Sequence, residues 1–215
     1  MSSSTAARYS FAEEIANSVT HGVGTVLAIA GLGVLCGYAA MRGDVWHVVS
    51  SSIYAATLIM CFGASTLYHS VSHERAKQVF RTLDHVSIFL LIAGSYTPFA
   101  LVTLRGPWGW WLFGVIWALA IIGTIIQLTS LKKYRALSVT MSALMGWVVV
   151  VAAKPLMDNL ATGGLWLLVL GGLCYTGGIA FYLWRSLRFH HAIWHMFVLA
   201  GGILHFFAVL LYVIP

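Results

Sequence analysis

Histidines at helical spacing are the residues of this sequence best suited to chemistry. His191 and His195 stand four positions apart, so a helix would present two imidazoles on one face, one above the other. His69 lies far from this pair in the chain, and Ser65, four positions earlier, shares its helical face. Paired imidazoles of this kind are typical of helical zinc sites. Three histidines with an open fourth position indicate a catalytic type of zinc site.

Asp84 adds an acidic group to these candidates. Zinc bound by three histidines lowers the pKa of its water to about 7 and supplies hydroxide at neutral pH. A nearby carboxylate accepts a proton from that water or orients a ligand. The predicted site therefore consists of the zinc ligands His69, His191 and His195, with Asp84 and Ser65 as the catalytic residues.

The spacing of the histidines is weak evidence when taken alone. Nine histidines placed at random in 215 residues would give roughly a third of one pair at this spacing. The sequence has two such pairs, because His73 follows His69 by four positions. His73 competes with His69 as third ligand, but its place beside Glu74 favours solvation. The remaining candidates are His21, His85, His190 and His205, of which we interpret His85 and His205 as packing or hydrogen-bonding residues.

The composition defines the setting for these residues. The chain is 60% hydrophobic and 8% charged, with a mean hydropathy of +0.88, whereas an ordinary soluble domain has about 25% charged residues. A soluble enzyme and a secreted disulfide scaffold are therefore excluded. Seven stretches without charge each approach the roughly 20 residues that cross a bilayer as a helix. The predicted fold is an all-α membrane protein with seven transmembrane helices, at residues 21–41, 46–70, 84–104, 108–130, 136–154, 160–184 and 189–213.

The distribution of Lys and Arg predicts how the chain crosses the membrane. Nine of them fall on the amino tail and the second, fourth and sixth connections, and three fall on the other side. This asymmetry predicts a cytoplasmic amino terminus and an outer carboxyl terminus. His69 and Asp84 then lie at the cytoplasmic ends of the second and third spans, joined by a turn of 14 residues. His191 and His195 lie at the start of the seventh span, at the same depth in the membrane. The candidate residues are therefore predicted to lie close to one another.

The same distribution bears on partners and domains. The net charge of +6 does not indicate a nucleic-acid site, because the cations lie at span ends and not in one patch. The expected partners are membrane lipids, and a homo-oligomer is left open. We expect a multi-pass protein of the inner cell membrane.

Residues 1–20 are predicted to form a cytoplasmic tail whose short amphipathic interfacial helix starts at a capping box of Ser10 and Glu13. Residues 21–215 form the seven-helix domain.

Several motifs together resemble the bacterial haemolysin III family, the prokaryotic branch of the progestin and adiponectin receptor superfamily. The motifs are Glu13-Glu14-Ile15-Ala16-Asn17, Thr20-His21-Gly22, Ser65-Thr-Leu-Tyr-His69, Arg81-Thr-Leu-Asp84-His85, Gly94-Ser95-Tyr96-Thr97-Pro98 and His191-Ala-Ile-Trp-His195. The resemblance covers essentially the whole chain. It implies seven helices and a zinc site near the cytoplasmic face, with ligands His69, His191 and His195. It also places the serine and aspartate of the family at Ser65 and Asp84.

Three functions are compatible with these observations. The first is a zinc-dependent hydrolase of a lipid amide or ester in membrane lipid homeostasis, since the superfamily is similar to alkaline ceramidases. The second is a non-enzymatic, receptor-like membrane sensor in which zinc is structural. The third is a pore-forming haemolysin. A wide pore would need polar residues along the spans, whereas this sequence concentrates its ionisable groups at one end. Whether the protein is an enzyme is not decided by the sequence.

Overall fold

Seven long apolar helices make up the fold. In a computed structural model, which describes residues 9–215, no strand occurs and each of the seven helices is long and apolar enough to cross a membrane. This confirms the predicted fold class. We number the helices as spans in chain order. They are Phe11–Arg42, Val45–Ser70, Glu74–Thr103, Pro107–Leu128, Arg135–Asn159, Thr162–Leu183 and His190–Tyr212.

The first span begins at the predicted capping box. The Ser10 hydroxyl accepts the Glu13 N–H at 3.3 Å, and the Glu13 carboxylate accepts the Ser10 N–H at 2.9 Å. The helix then continues without a break to Arg42 over 32 residues, about 48 Å at 1.5 Å per residue. The segment predicted as a separate interfacial helix is thus continuous with the first span. Residues 1–8 of the predicted tail lie outside the described part of the chain.

The third span begins earlier than the sequence indicated. It starts at Glu74, with His73 at the N-cap accepting the Ala76 N–H at 3.4 Å. The connection from the second span is therefore only residues 71–73, and the predicted turn of 14 residues is wrong. Asp84 is the eleventh residue of this helix and does not open it. The first turns carry several charges, and hydropathy detects the hydrocarbon-embedded part of a helix but not its polar extension.

Tyr96 joins the third span to an irregular part of the fifth. The fifth span changes to a 3-10 helix over Val148–Ala152, which alters the backbone hydrogen bonding. The Tyr96 hydroxyl lies 2.7 Å from the Gly146 carbonyl and 3.0 Å from that of Met145, and it accepts the Val149 N–H at 2.9 Å. Backbone groups in lipid need protein partners because water is absent. One side chain therefore stabilises the break.

The candidate site lies where the first, second, third and seventh spans meet. The first span packs along the second and touches the seventh, while the second also packs along the third. The close approach of the second and third spans occurs at Gly94, where an added Cβ would overlap the Thr57 side chain. We call the end of the bundle where the second span ends and the seventh begins the histidine end. The opposite end carries Asp44, the N-cap of the second span.

Candidate metal centre

Three histidines from two spans meet at the histidine end. One nitrogen of each of His69, His191 and His195 lies within 4.8 Å of those of the other two. The ring centroids are 5.1 Å apart for His69 and His191, 5.4 Å for His69 and His195, and 4.5 Å for the pair on the seventh span. All three side chains are buried, and His195 is 0% exposed. The competing candidate His73 is exposed at a helix N-cap.

The start of the seventh span is fixed against the first. Phe189 precedes the helix with φ of 58°, in the left-handed region that non-glycine residues adopt infrequently. Its backbone N–H donates to the Glu13 carboxylate at 3.3 Å. The helix then places His191 and His195 within its first two turns. The first span therefore holds the end of the helix that supplies two of the three imidazoles.

The hydrogen bonds of the imidazoles leave one nitrogen of each free for a ligand. His69 Nδ1 lies 2.6 Å from a Glu14 carboxylate oxygen, and His195 Nδ1 lies 3.2 Å from the Asn17 carbonyl oxygen. The Nε2 atoms of both are buried without a partner in the described residues, as are both nitrogens of His191. Buried polar atoms without partners are costly. Three such nitrogens facing one another fit a cation, because neutral imidazole offers a lone pair at Nε2.

Asp84 and Ser65 are buried near this cluster but are not part of it. Asp84 lies on the third span within electrostatic range of His69, and one of its carboxylate oxygens is 3.7 Å from His85 Nδ1. Ser65 is 0% exposed, one turn before His69, and its hydroxyl faces the Asp84 carboxylate, with no hydrogen bond of ordinary length to it in residues 9–215. The catalytic roles assigned to both residues remain predictions.

Two other histidines form hydrogen bonds as predicted. His85 Nδ1 lies 2.7 Å from the Arg81 carbonyl oxygen, and His205 Nε2 lies 3.3 Å from that of Leu168. His205 is on the seventh span, more than two turns beyond His195. Neither belongs to the three-histidine cluster. Their interpretation as packing or hydrogen-bonding residues is confirmed.

The first span lines the site with residues to which the sequence analysis assigned no role. Glu14 and Asn17 contact the imidazoles as described above. His21 stacks on His195, with centroids 3.5 Å apart and planes 12° from parallel, and both of its nitrogens are buried without a partner among the described residues. The spacing of these three residues, at i, i+3 and i+7, places them on one helical face. That spacing is the sequence signal for a shared polar face, but an interfacial helix gives the same signal.

A tyrosine covers the site from the end of the bundle. Tyr9, just before the first span, has its ring centroid 5.0 Å from that of His191 and 5.8 Å from that of His69. Burial raises the pKa of the Tyr9 phenol well above its usual value. The phenol is therefore neutral across the physiological pH range, and it shields the imidazoles on this side.

Seven spans and a buried three-histidine cluster at one end define a multi-pass membrane protein with a candidate metal centre. The sequence model of a family described as "Haemolysin-III related" matches residues 9–206, and the chain belongs to this family. The chain is 46% identical to "Hemolysin-3" of Bacillus cereus over 203 residues, which cover 94% of this chain and 93% of the relative. It is 42% identical to "Hemolysin-3 homolog" of Bacillus subtilis (strain 168), with 95% and 96% covered. It is also 31% identical to the human "Monocyte to macrophage differentiation factor", with 92% and 83% covered. No solved structure gives a significant match.

Proposed function

We propose that His69, His191 and His195 bind zinc and that this centre serves membrane lipid homeostasis by hydrolysing a lipid amide or ester. The observation that carries the proposal is that three buried imidazoles face one another, each with a nitrogen that has no partner in the described residues. Imidazole also binds other divalent metals. The preference for zinc rests on the all-nitrogen ligand set and on the resemblance to the zinc-binding family.

The roles of the neighbouring side chains follow from their chemistry. Bound zinc supplies a Lewis acid and a water of lowered pKa. Asp84 takes up a proton at its carboxylate, for which its burial beside His69 is the support. The Ser65 hydroxyl donates a hydrogen bond to the polar group of the lipid, and its buried position facing the Asp84 carboxylate supports this role. The surrounding spans exclude bulk water from the reacting groups.

We infer further that the histidine end faces the cytoplasm of a cell whose inner membrane holds the protein. The support is the excess of Lys and Arg on the amino tail and on the connections and helix ends predicted for that side, nine against three. A reporter fused after Lys77 and one fused after Arg188 should both report the cytoplasmic side. A result that places them on opposite sides would contradict the inferred orientation.

Metal content and lipid turnover test the proposed function. Protein purified in detergent should contain one zinc per chain by elemental analysis, and His191→Ala should lose it. His73→Ala is the matched control, because His73 is an exposed histidine of the same end. Incubation with a lipid extract should release amide or ester cleavage products, detected by mass spectrometry. Equal turnover by the zinc-loaded and the metal-free protein would overturn the hydrolase proposal.

A second candidate function is a non-enzymatic membrane sensor in which zinc is structural. The closure of the site favours it, since His195 is 0% exposed and Tyr9 covers His191. Zinc would here tie the second span to the seventh. A large loss of thermal stability in chelator, with no lipid product under any condition, would favour this candidate over the hydrolase.

A further inference from the structure

We propose that Glu14, which is not itself a metal ligand, is a positioning residue that fixes the proton of His69 on Nδ1 and so prepares Nε2 for the metal. The inference rests on the proposed metal binding. It concerns the first span, which supplies none of the three candidate ligands. It assigns to that span the task of orienting His69, through a hydrogen bond at Nδ1, toward the metal.

The geometry of Glu14 is that of a carboxylate held in place from both sides. One oxygen lies 2.6 Å from His69 Nδ1 and the other lies 2.8 Å from Lys77 Nζ. The His69 side chain is 0% exposed and that of Glu14 is 19% exposed. Glu14 therefore joins the second span to the third, and the short contact to His69 is largely shielded from water. Short contacts to a carboxylate are charge-assisted and strong.

This contact determines which nitrogen of His69 carries the proton. A carboxylate accepts hydrogen bonds only, so a nitrogen at 2.6 Å must donate. Asn17 Nδ2 also lies 3.4 Å from the same nitrogen, an arrangement that would require Nδ1 to accept. Turning the Asn17 side-chain amide brings its Oδ1 toward His69 Nδ1, so that both neighbours of this nitrogen accept its proton. The neutral imidazole then presents an unprotonated Nε2 to the other two histidines.

The neighbouring ligands show why Glu14 matters more than other residues of the first span. His195 Nδ1 faces the backbone carbonyl of Asn17 at 3.2 Å, an acceptor that no side-chain substitution removes. His191 has no acceptor at either nitrogen within residues 9–215. Glu14 is therefore the side chain whose charge acts directly on a ligand. Carboxylate partners of metal-binding histidines raise ligand basicity, and their loss typically weakens metal binding by about 10- to 100-fold.

Two variants that remove the same charge one residue apart test the inference. Glu14→Gln removes the carboxylate from His69, whereas Glu13→Gln removes a charge that touches no imidazole and keeps an amide oxygen to accept the Phe189 N–H. Zinc affinity is measured on full-length protein in detergent by competition with a chromophoric chelator. E14Q should bind zinc about 10- to 100-fold more weakly than the parent, and E13Q should change affinity by well under tenfold. Equal zinc affinities in E14Q and the parent would overturn this inference and leave the proposed function standing.

The 15N chemical shifts of the imidazole nitrogens, measured by NMR, provide a readout that needs no metal and that can be judged on the parent protein alone. In metal-free parent labelled with 15N-histidine, His69 should be the Nδ1–H tautomer, and in E14Q the Nε2–H form should gain population. A predominantly Nε2–H His69 in the parent would refute the inference even if E14Q fails to fold. A parent that binds no zinc would overturn the proposed function together with this inference.

Discussion

Gly94→Ala should push the second and third spans apart. The Cβ of alanine would lie 2.9 Å from both Cβ and Cγ2 of Thr57 and would overlap its hydroxyl oxygen. Ordinary contacts between carbon atoms are about 3.5–4.0 Å. Thr57 is 5% exposed, and its hydroxyl donates to the Tyr54 carbonyl at 2.8 Å. The side chain thus has little freedom to turn away, and overpacking of this kind costs about 1–3 kcal/mol.

Gly114→Ala is the matched control for this effect. Gly114 lies within the fourth span, and an added Cβ there meets nothing within 4 Å. Both substitutions gain the same helix propensity, up to about 1 kcal/mol, so their difference isolates the steric clash. In denaturant titrations followed by circular dichroism, G94A should be less stable than G114A by about 1–3 kcal/mol. Thr57→Ala should recover part of that loss in the double variant. Equal stability of G94A and G114A would refute the packing described here.

The remaining predictions concern pH and metal. The hydrogen bond from the His47 side chain, assisted by Arg105, holds the pKa of Asp44 well below its usual value. Its stabilising contribution is therefore present above the unfolded-state pKa of about 3.9 and is lost as the pH falls below it. Asp44→Asn should flatten the acid limb of the melting-temperature profile, and a profile unchanged from that of the parent would contradict this role of Asp44. Chelation should lower the melting temperature, because free zinc at 100 times its Kd stabilises the folded state by about 2.7 kcal/mol. An unchanged melting temperature in chelator would contradict zinc binding.

Hydropathy predicted the number and order of the spans but not where their polar ends stop. A bilayer selects apolar residues only across its hydrocarbon core. The turns at Glu74–Arg81 and Phe11–Thr20 extend beyond the predicted apolar stretches, where charged and polar residues are compatible with either helix or loop. Capping residues are the sequence signal for where these polar helix ends begin, and Ser10 identified the start of the first span in this way. His73 caps the third span with an imidazole nitrogen, which is not among the preferred capping groups.

The residues of the site fall into two groups: those that local sequence patterns predicted, and those that only tertiary contacts bring to the site. The pair His191 and His195 follows from spacing within one helix, and positive-inside topology brought His69 to the same depth. The contacts of Glu14 with His69 and of His21 with His195 join residues 55 and 174 positions apart. They depend on how the first span packs against the second and seventh. A polar helical face near the membrane surface has an equally good interpretation as an interfacial helix, so the sequence could not assign it to the site.

The polar atoms of the site exceed what a metal ion requires, and this excess distinguishes the two candidate functions. Zinc would engage one nitrogen of each of the three ligands. The second nitrogen of His191, the ring nitrogens of His21 and the Ser65 hydroxyl that faces Asp84 are buried as well. Burying polar groups without strong hydrogen bonds costs about 1–3 kcal/mol each, and a purely structural zinc site has no reason to bury them. A site that receives the polar group of a lipid has that reason.

Ser65→Ala and His21→Phe test this argument, because the first removes a buried hydroxyl and the second keeps a ring against His195. A structural centre predicts unchanged zinc affinity, equal or higher stability and no further consequence. A lipid-hydrolysing centre predicts the same zinc affinity with product formation reduced at least tenfold, since a buried hydrogen bond to substrate is worth about 1.4 kcal/mol or more. Both variants turning over lipid at the parental rate would show that these atoms do not face the substrate, and the preference for the hydrolase would then lose its physical basis.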